Sequence, residues 1–389
     1  MFENASVNID LLKKRAYNLR WATVPDGVIP LTAADPDFPC APEIAESICK
    51  FTTDRYFCYG PNEGLPAFKE AMASYFNDKR FVKVSPELLF PVDSAASGIY
   101  ITCKALLTKN DEAIIFDPVD FLFRYSIESV GGVAITFSIP PGEKNVDFAL
   151  LEHLITPKTK MICLCNPLNP TGKVFTKDEL LQFGIIACKY NLMILSDEIW
   201  SDIVYDPFKY TSIASLNDDI RNRTITITGF SKSYGLAGLR IGVVVTHTPE
   251  IFTLLFTASL HQSTIHGSNI IGQIAATTAL SKCDYWLKDF VAHLQLIREK
   301  CVMKLNAIEG LSCIAPQGTY VAFVNIKGTN KGSGEICDLL LEKAKVSVVP
   351  GLKQWFGEGA EGYIRISFAT SHNIINESLA RIENIFKTL

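Results

Sequence analysis

No apolar run approaches the ~20 residues that span a bilayer, so no membrane-spanning helix is expected. Basic residues form no block, and 37 Lys and Arg against 41 Asp and Glu leave a net charge of −4. Nucleic acid is therefore not an expected partner. The eleven cysteines are odd in number, scattered and never spaced C-x-x-C. They read as small buried hydrophobes in a reducing compartment, with no metal site expected. Residues 1–14 lack the apolar core of a signal peptide, which makes the cytoplasm the expected location. Internal repeats and low-complexity linkers are also missing. What remains is an ordinary globular composition, 48% apolar and 20% charged over 389 residues. That length exceeds one small core and predicts a large and a smaller domain.

From about residue 94 to 245, short apolar or β-branched runs (113–116, 133–138, 161–165, 192–196, 224–228 and 241–245) alternate with helical ones. Fully apolar strands of this kind fit a mostly parallel central sheet with helices on both faces. Thr176-Lys177-Asp178-Glu179 is a capping box that opens a helix reaching about Tyr190. Beyond about residue 280 the texture changes to a long amphipathic helix (285–308), a strand (319–326), a helix (333–344) and a strand (362–368). The spacing predicts a large α/β domain over 43–280. A smaller α+β domain is expected from 281–389 together with 1–42.

One lysine stands out. Thr-Gly-Phe-Ser-Lys-Ser-Tyr-Gly-Leu-Ala-Gly-Leu-Arg-Ile-Gly, residues 228–242, places Lys232 in a turn of small residues just past a β-rich run. Partial burial there disfavours the ammonium and favours the free amine of Schiff-base chemistry. Arg240 follows, with Gly235, Gly238 and Gly242 allowing a tight backbone. An amine nucleophile beside a fixed guanidinium suits an aldehyde that also carries a phosphate, which describes pyridoxal 5′-phosphate. The glycines are not spaced G-x-G-x-x-G, which disfavours a dinucleotide-binding dehydrogenase.

Two further signals precede the lysine. Asn166-Pro167-Leu168-Asn169-Pro170-Thr171-Gly172 is a stiff loop presenting two amides at the C-terminal edge of the sheet, where open α/β folds bind ligands. Asp197 ends the following strand. Alone it would be read as a helix N-cap; beside a pyridine ring it would keep the ring nitrogen protonated.

Asn-Pro-x-Asn-Pro-Thr-Gly, Ser-Asp-Glu, Ser-Lys-x-x-Gly-x-x-Gly-x-Arg and a late Tyr-Ile-Arg-Ile-Ser occur here in one order. In this the chain resembles the class I/II aminotransferases of the fold-type I pyridoxal-phosphate enzymes, over nearly its whole length. The resemblance implies a Schiff base on Lys232, which also moves the Cα proton. It pairs Asp197 with the ring nitrogen and places Asn169 on the phenolic oxygen and near the substrate carboxylate. The phosphate falls to Arg240, Ser231 and the backbone N–H groups of Ala95 and Ala96 at a helix start. Arg365 becomes the bidentate clamp of the α-carboxylate; Ala34 and Asp120 are candidate substrate residues of this chain that the resemblance does not itself supply. Tyr59 matches a tyrosine that reaches the phosphate of a neighbouring subunit, which implies a homodimer. The implied reaction moves an amino group between an amino acid and a 2-oxo acid.

The chain departs from the family pattern in several places. Trp200 stands where a tyrosine is usual, Gly229 where serine is frequent, and Ser94 or Ala95 where the phosphate turn has glycine. Asp120 occupies the slot of the aromatic residue that stacks on the cofactor, and Phe121 is the alternative stacking group. Asp120 could attract a cationic substrate side chain, although the plainer expectation is a loop carboxylate turned to solvent. Leu31-Thr32-Ala33-Ala34-Asp35-Pro36-Asp37-Phe38 looks more like the carbon–sulfur β-lyase branch. A β-elimination or cyclising enzyme is thus the alternative to an aminotransferase. A regulatory protein without chemistry is disfavoured because Lys232, Asp197 and Arg240 are all intact.

Overall fold

The computed structural model describes residues 1–17 and 19–387. Its centre is a seven-stranded sheet in the spatial order Leu89–Val92, Gly242–Val245, Thr224–Gly229, Met193–Asp197, Thr159–Cys165, Glu112–Asp117, Val133–Ser138. Gly242–Val245 runs antiparallel to both of its neighbours, and every other adjacent pair is parallel. Every residue of Thr224–Gly229 is buried, as expected of a strand covered on both faces. The edge strand Leu89–Val92 was not expected from the sequence. Pro91 interrupts its short run, and proline is tolerated because the strand lies at an edge.

Helices follow local chemistry. Thr176 Oγ1 accepts from the Glu179 N–H at 3.1 Å and Glu179 Oε2 accepts from the Thr176 N–H at 2.8 Å, opening the helix Lys177–Lys189. The helix Ala95–Leu106 is capped by Ser94, whose Oγ accepts from the Ser97 N–H at 3.1 Å. This helix lies close on the sheet: a Cβ on Gly98 would fall 2.9 Å from Ile227 Cγ2.

A smaller antiparallel sheet has the order Val349–Pro350, Tyr363–Ser367, Val321–Asn325, Ser312–Cys313. The long helix Asp284–Asn306 buries Trp286, Phe290, Leu294, Ile297, Cys301 and Leu305, the stripe expected from its periodicity. The helix expected over 333–344 is α-helical only for Ser333–Leu339 and widens into a π turn at Leu340–Ala344.

The N-terminal segment is joined to this second sheet. Ile29–Pro30 pairs in parallel with Val346–Ser347. The Ser367 N–H donates to the Leu31 carbonyl at 2.9 Å, and the Asp37 N–H to the Ala369 carbonyl at 3.0 Å. Arg20 and Asp37 form a buried ion pair at 3.0 Å, and Trp21 Nε1 donates to Asp37 Oδ1 at 2.8 Å. These bonds hold the 32–38 segment against the site described next.

Candidate active site

Neighbouring parallel strands deliver the chemistry to one edge of the sheet. Past the C-terminal ends of Glu112–Asp117, Thr159–Cys165, Met193–Asp197 and Thr224–Gly229 come Asp120, Asn169, Asp197 itself and Lys232. Adjacent parallel strands end on the same side, so these residues converge where open α/β sheets bind ligands.

Lys232 Nζ donates to the Ala34 carbonyl at 2.6 Å and lies 5.4 Å from the centre of the Trp200 ring. Burial pushes its ammonium below the ordinary 10.5, against the opposing pull of Asp35. The same Ala34 carbonyl accepts from the Tyr320 hydroxyl at 3.0 Å, and Tyr320 meets Trp200 edge-on at 4.7 Å. Trp200 thus presents its ring face to the amine.

Asp197 accepts from the Ile199 N–H at 3.1 Å through Oδ1. Its Oδ2 makes no hydrogen bond among the described residues. Burial, reinforced by the charges of Asp120 and Glu198, pushes its carboxyl up to about 7.

The doubled Asn-Pro divides its labour. Asn166 is structural: Oδ1 accepts from the Phe175 N–H at 3.1 Å and Nδ2 donates to the Thr211 carbonyl at 3.3 Å. Asn169 is in the site, accepting from Arg365 Nη1 at 3.2 Å and donating to Asp120 Oδ2 at 2.8 Å. Arg365 also donates to the Thr32 carbonyl at 3.2 Å, lies 5.1 Å over Phe356, and is only 8% exposed. A surface ion pair is excluded for it.

Asp120 corrects the expectation of a loop carboxylate turned to solvent. Its flanking N–H groups are committed: Val119 donates to the Phe356 carbonyl and Phe121 to the Trp355 carbonyl, both at 2.9 Å. Asp117 accepts from the Gly359 N–H at 3.0 Å. With the backbone strapped to 355–359, the Asp120 side chain turns inward onto Asn169. Phe121 turns outward and meets Trp355 edge-on at 5.4 Å, so it does not occupy the stacking position.

At the other end of the site, helix Ala95–Leu106 offers the N–H groups of Ala95 and Ala96, which lie in its first turn and have no partner within the helix. Gly242 is required beside them, because a Cβ there would fall 2.7 Å from the Ser94 carbonyl carbon and 2.9 Å from the Ala95 nitrogen. Gly229 pairs with Gly242 across the strands, and a Cβ on it would press on the Ile241 carbonyl oxygen at 3.0 Å. The close strand approach explains glycine in place of serine. Arg240, at φ 50°, is exposed, and its side chain is unpaired among the described residues. Asn269 Nδ2 holds the carbonyls of Leu239 and Arg240 at 3.1 and 2.9 Å. Ser231 is half-buried beside Lys232. Tyr59 lies apart, 89% exposed against His266.

These residues fit pyridoxal 5′-phosphate. An enclosed amine, a buried carboxylate with a free oxygen and a helix start with open N–H groups match its aldehyde, ring nitrogen and phosphate.

A family model for aminotransferase class I and II matches residues 26–382. The aromatic-amino-acid aminotransferase 2 of Thermococcus litoralis is 33% identical over 371 residues, covering 93% of this chain and 92% of that protein. The PLP-bound putative aminotransferase of Clostridium difficile 630 superposes with a TM-score of 0.87 at 26% identity, covering 98% and 96% of the two chains. Cystalysin of Treponema denticola shares the fold at a TM-score of 0.90 and 23% identity, with 97% of each chain covered. The chain belongs to the class I and II aminotransferases. It is a pyridoxal-phosphate-dependent aminotransferase of fold-type I.

Three features of the site were not found from the sequence. Tyr320 sits in a buried strand run, where its hydroxyl needs a partner, and that need was the available signal. Asp35 and Asp37 stand in the 31–38 pattern noted above, but their places near Lys232 and on Arg20 follow from contacts far apart in sequence, and no local pattern marks Arg20.

Proposed function

We propose that the site transfers an amino group between an amino acid and a 2-oxo acid with the following division of labour. Pyridoxal 5′-phosphate supplies the aldehyde that takes up the amino group and a ring that draws electrons from Cα. Lys232 holds that aldehyde covalently. Once the substrate amine displaces it, the Lys232 Nζ, its pKa lowered by burial, would be the base that takes the Cα proton and delivers it to the carbon of the former aldehyde. Asp197 holds a proton at the ring nitrogen, and Asn169 orients the phenolic oxygen. Ala95, Ala96, Ser231 and Arg240 bind the phosphate. Arg365 clamps the α-carboxylate, oriented by Asn169 and the Thr32 carbonyl, while Ala34 lines the substrate side.

The observation that carries this reading is the convergence of Lys232, Asp197, Asn169 and Arg365 on one sheet edge. Borohydride reduction of the holoenzyme followed by peptide mass analysis is the test. The pyridoxyl group should appear on the Lys232 peptide, and a label on another lysine would overturn the assignment.

The division into 43–280 and 1–42 with 281–389 is supported by the pairing of Ile29–Pro30 with Val346–Ser347. A homodimer is supported by exposed Tyr56, Phe57 and Tyr59, which match the edge from which Tyr59 would reach a partner's phosphate. All eleven cysteines are free, in keeping with a reducing, cytoplasmic location.

A further inference from the structure

The charged groups whose fields act on the Lys232 amine are Asp35, Arg365, Asp120 and Asp197. In the division of labour proposed above, Lys232 and Asp197 are taken by the cofactor and Arg365 by the α-carboxylate. Asp35 lies in the field of Arg20 as well as Lys232. Asp120 is different. The cations near it, Arg365 and Lys232, are both committed elsewhere once cofactor and substrate are bound.

Its carboxylate is held in place. Strapping of Val119 and Phe121 to the 355–356 carbonyls fixes the backbone on either side. Oδ2 accepts from Asn169 at 2.8 Å and Oδ1 accepts a longer bond from the Leu122 N–H at 3.3 Å. A carboxylate has about four acceptor sites, so capacity is left for a donor from the substrate. Asn169 bridges Asp120 to Arg365, which puts the carboxylate one amide away from the group that fixes the substrate.

We infer that Asp120 is a specificity residue whose carboxylate receives the cationic end of the substrate side chain, so that this aminotransferase takes amino acids ending in an ammonium or guanidinium. This rests on the proposed roles of Lys232 and Arg365. An aromatic or aliphatic side chain would cover the carboxylate without pairing it, and an unpaired buried charge is costly. A side-chain carboxylate would meet a charge of its own sign. Only a cationic side chain would give this half-buried carboxylate a charge-assisted hydrogen bond as it is covered.

The test uses amino acids that bind but have no Cα proton to lose: α-methyllysine, α-methylnorleucine and α-methylglutamate. Dissociation constants for the holoenzyme are read from the change in cofactor absorbance. α-Methyllysine should bind at least about tenfold more tightly than α-methylnorleucine, with α-methylglutamate weakest. Asp120→Asn should bring the lysine-to-norleucine ratio close to one, and Asp120→Glu should retain a preference for the cation. A wild-type ratio of one or below, or a ratio unchanged in Asp120→Asn, overturns the inference. Preferential transamination of norleucine or glutamate over lysine would end it while leaving the aminotransferase intact. Transfer from other amino acids but none from lysine would likewise end the inference alone, whereas the aminotransferase reading falls only if no amino acid of a full panel gives up its amino group to a 2-oxo acid.

Discussion

Asp197 shows how one residue trades stability for chemistry. In the unfolded chain its carboxyl ionises near the ordinary 3.8, whereas the folded, cofactor-free protein keeps the proton up to about 7, chiefly because the group is buried. Between those values the folded state binds the extra proton. Its contribution to stability therefore falls as pH rises from about 4 to about 7 and then levels off. Asp197→Asn removes that slope. Thermal melts of the cofactor-free proteins should coincide near pH ~4, with the variant melting higher by a few degrees above pH ~7. A variant that melts lower than wild type at the alkaline end would contradict this. The same substitution removes the partner of the ring nitrogen, so the stabler protein should be the poorer enzyme.

At the scale of elements, the phosphate end depends on how closely backbone meets backbone. Gly242 lies against the start of helix Ala95–Leu106, and a Cβ there would meet three backbone atoms, the Ser94 carbonyl carbon, the Ala95 nitrogen and the Thr228 oxygen, at 2.7 to 3.0 Å. None of these is a flexible side-chain end. Gly242→Ala should cost about 1–3 kcal/mol of stability through overpacking. It should also weaken cofactor affinity, because the helix start itself must shift. Equilibrium unfolding and cofactor titration measure the two effects, and a variant that is destabilised yet binds the cofactor as tightly as wild type would show that the helix start does not bind the phosphate.

Elements also show what was legible in the sequence. Asp197, Asn169 and Lys232 could be read because each follows an apolar strand within a few residues, so their convergence follows from the parallel order. Arg365 was legible only through its motif, and its contacts with Asn169 and Thr32 join the two sheets. The direction of Asp120 was not legible. It is set by carbonyls at Trp355 and Phe356, more than two hundred residues away, and no local pattern carries that information. The reversed direction of Gly242–Val245 was likewise hidden, since an apolar run reads the same either way. The Ala34 carbonyl under Lys232 is a main-chain group, placed there by the distant Arg20–Asp37 pair.

For the whole molecule, the two sheets and the N-terminal segment enclose one site between them. Lys232 and Asp197 come from the large sheet, Arg365 from the small one, and Ala34 from the segment paired to it. The phosphate end is less complete within one chain, with Arg240 exposed and Tyr59 turned away. A second copy placed on the Tyr56–Tyr59 edge would close it. Sedimentation should therefore give a mass of two chains, with Tyr59→Ala weakening cofactor retention; a monomer of full activity would contradict a shared site. The fate of the amino group is measured directly by incubating the holoenzyme with an amino acid panel, each amino acid being tried with and without a 2-oxo acid acceptor. The amino group should appear on the acceptor, mole for mole with the new 2-oxo acid, and little ammonia should form when the acceptor is omitted. Ammonia and pyruvate released from cysteine conjugates without an acceptor, and no transfer when one is supplied, would contradict this.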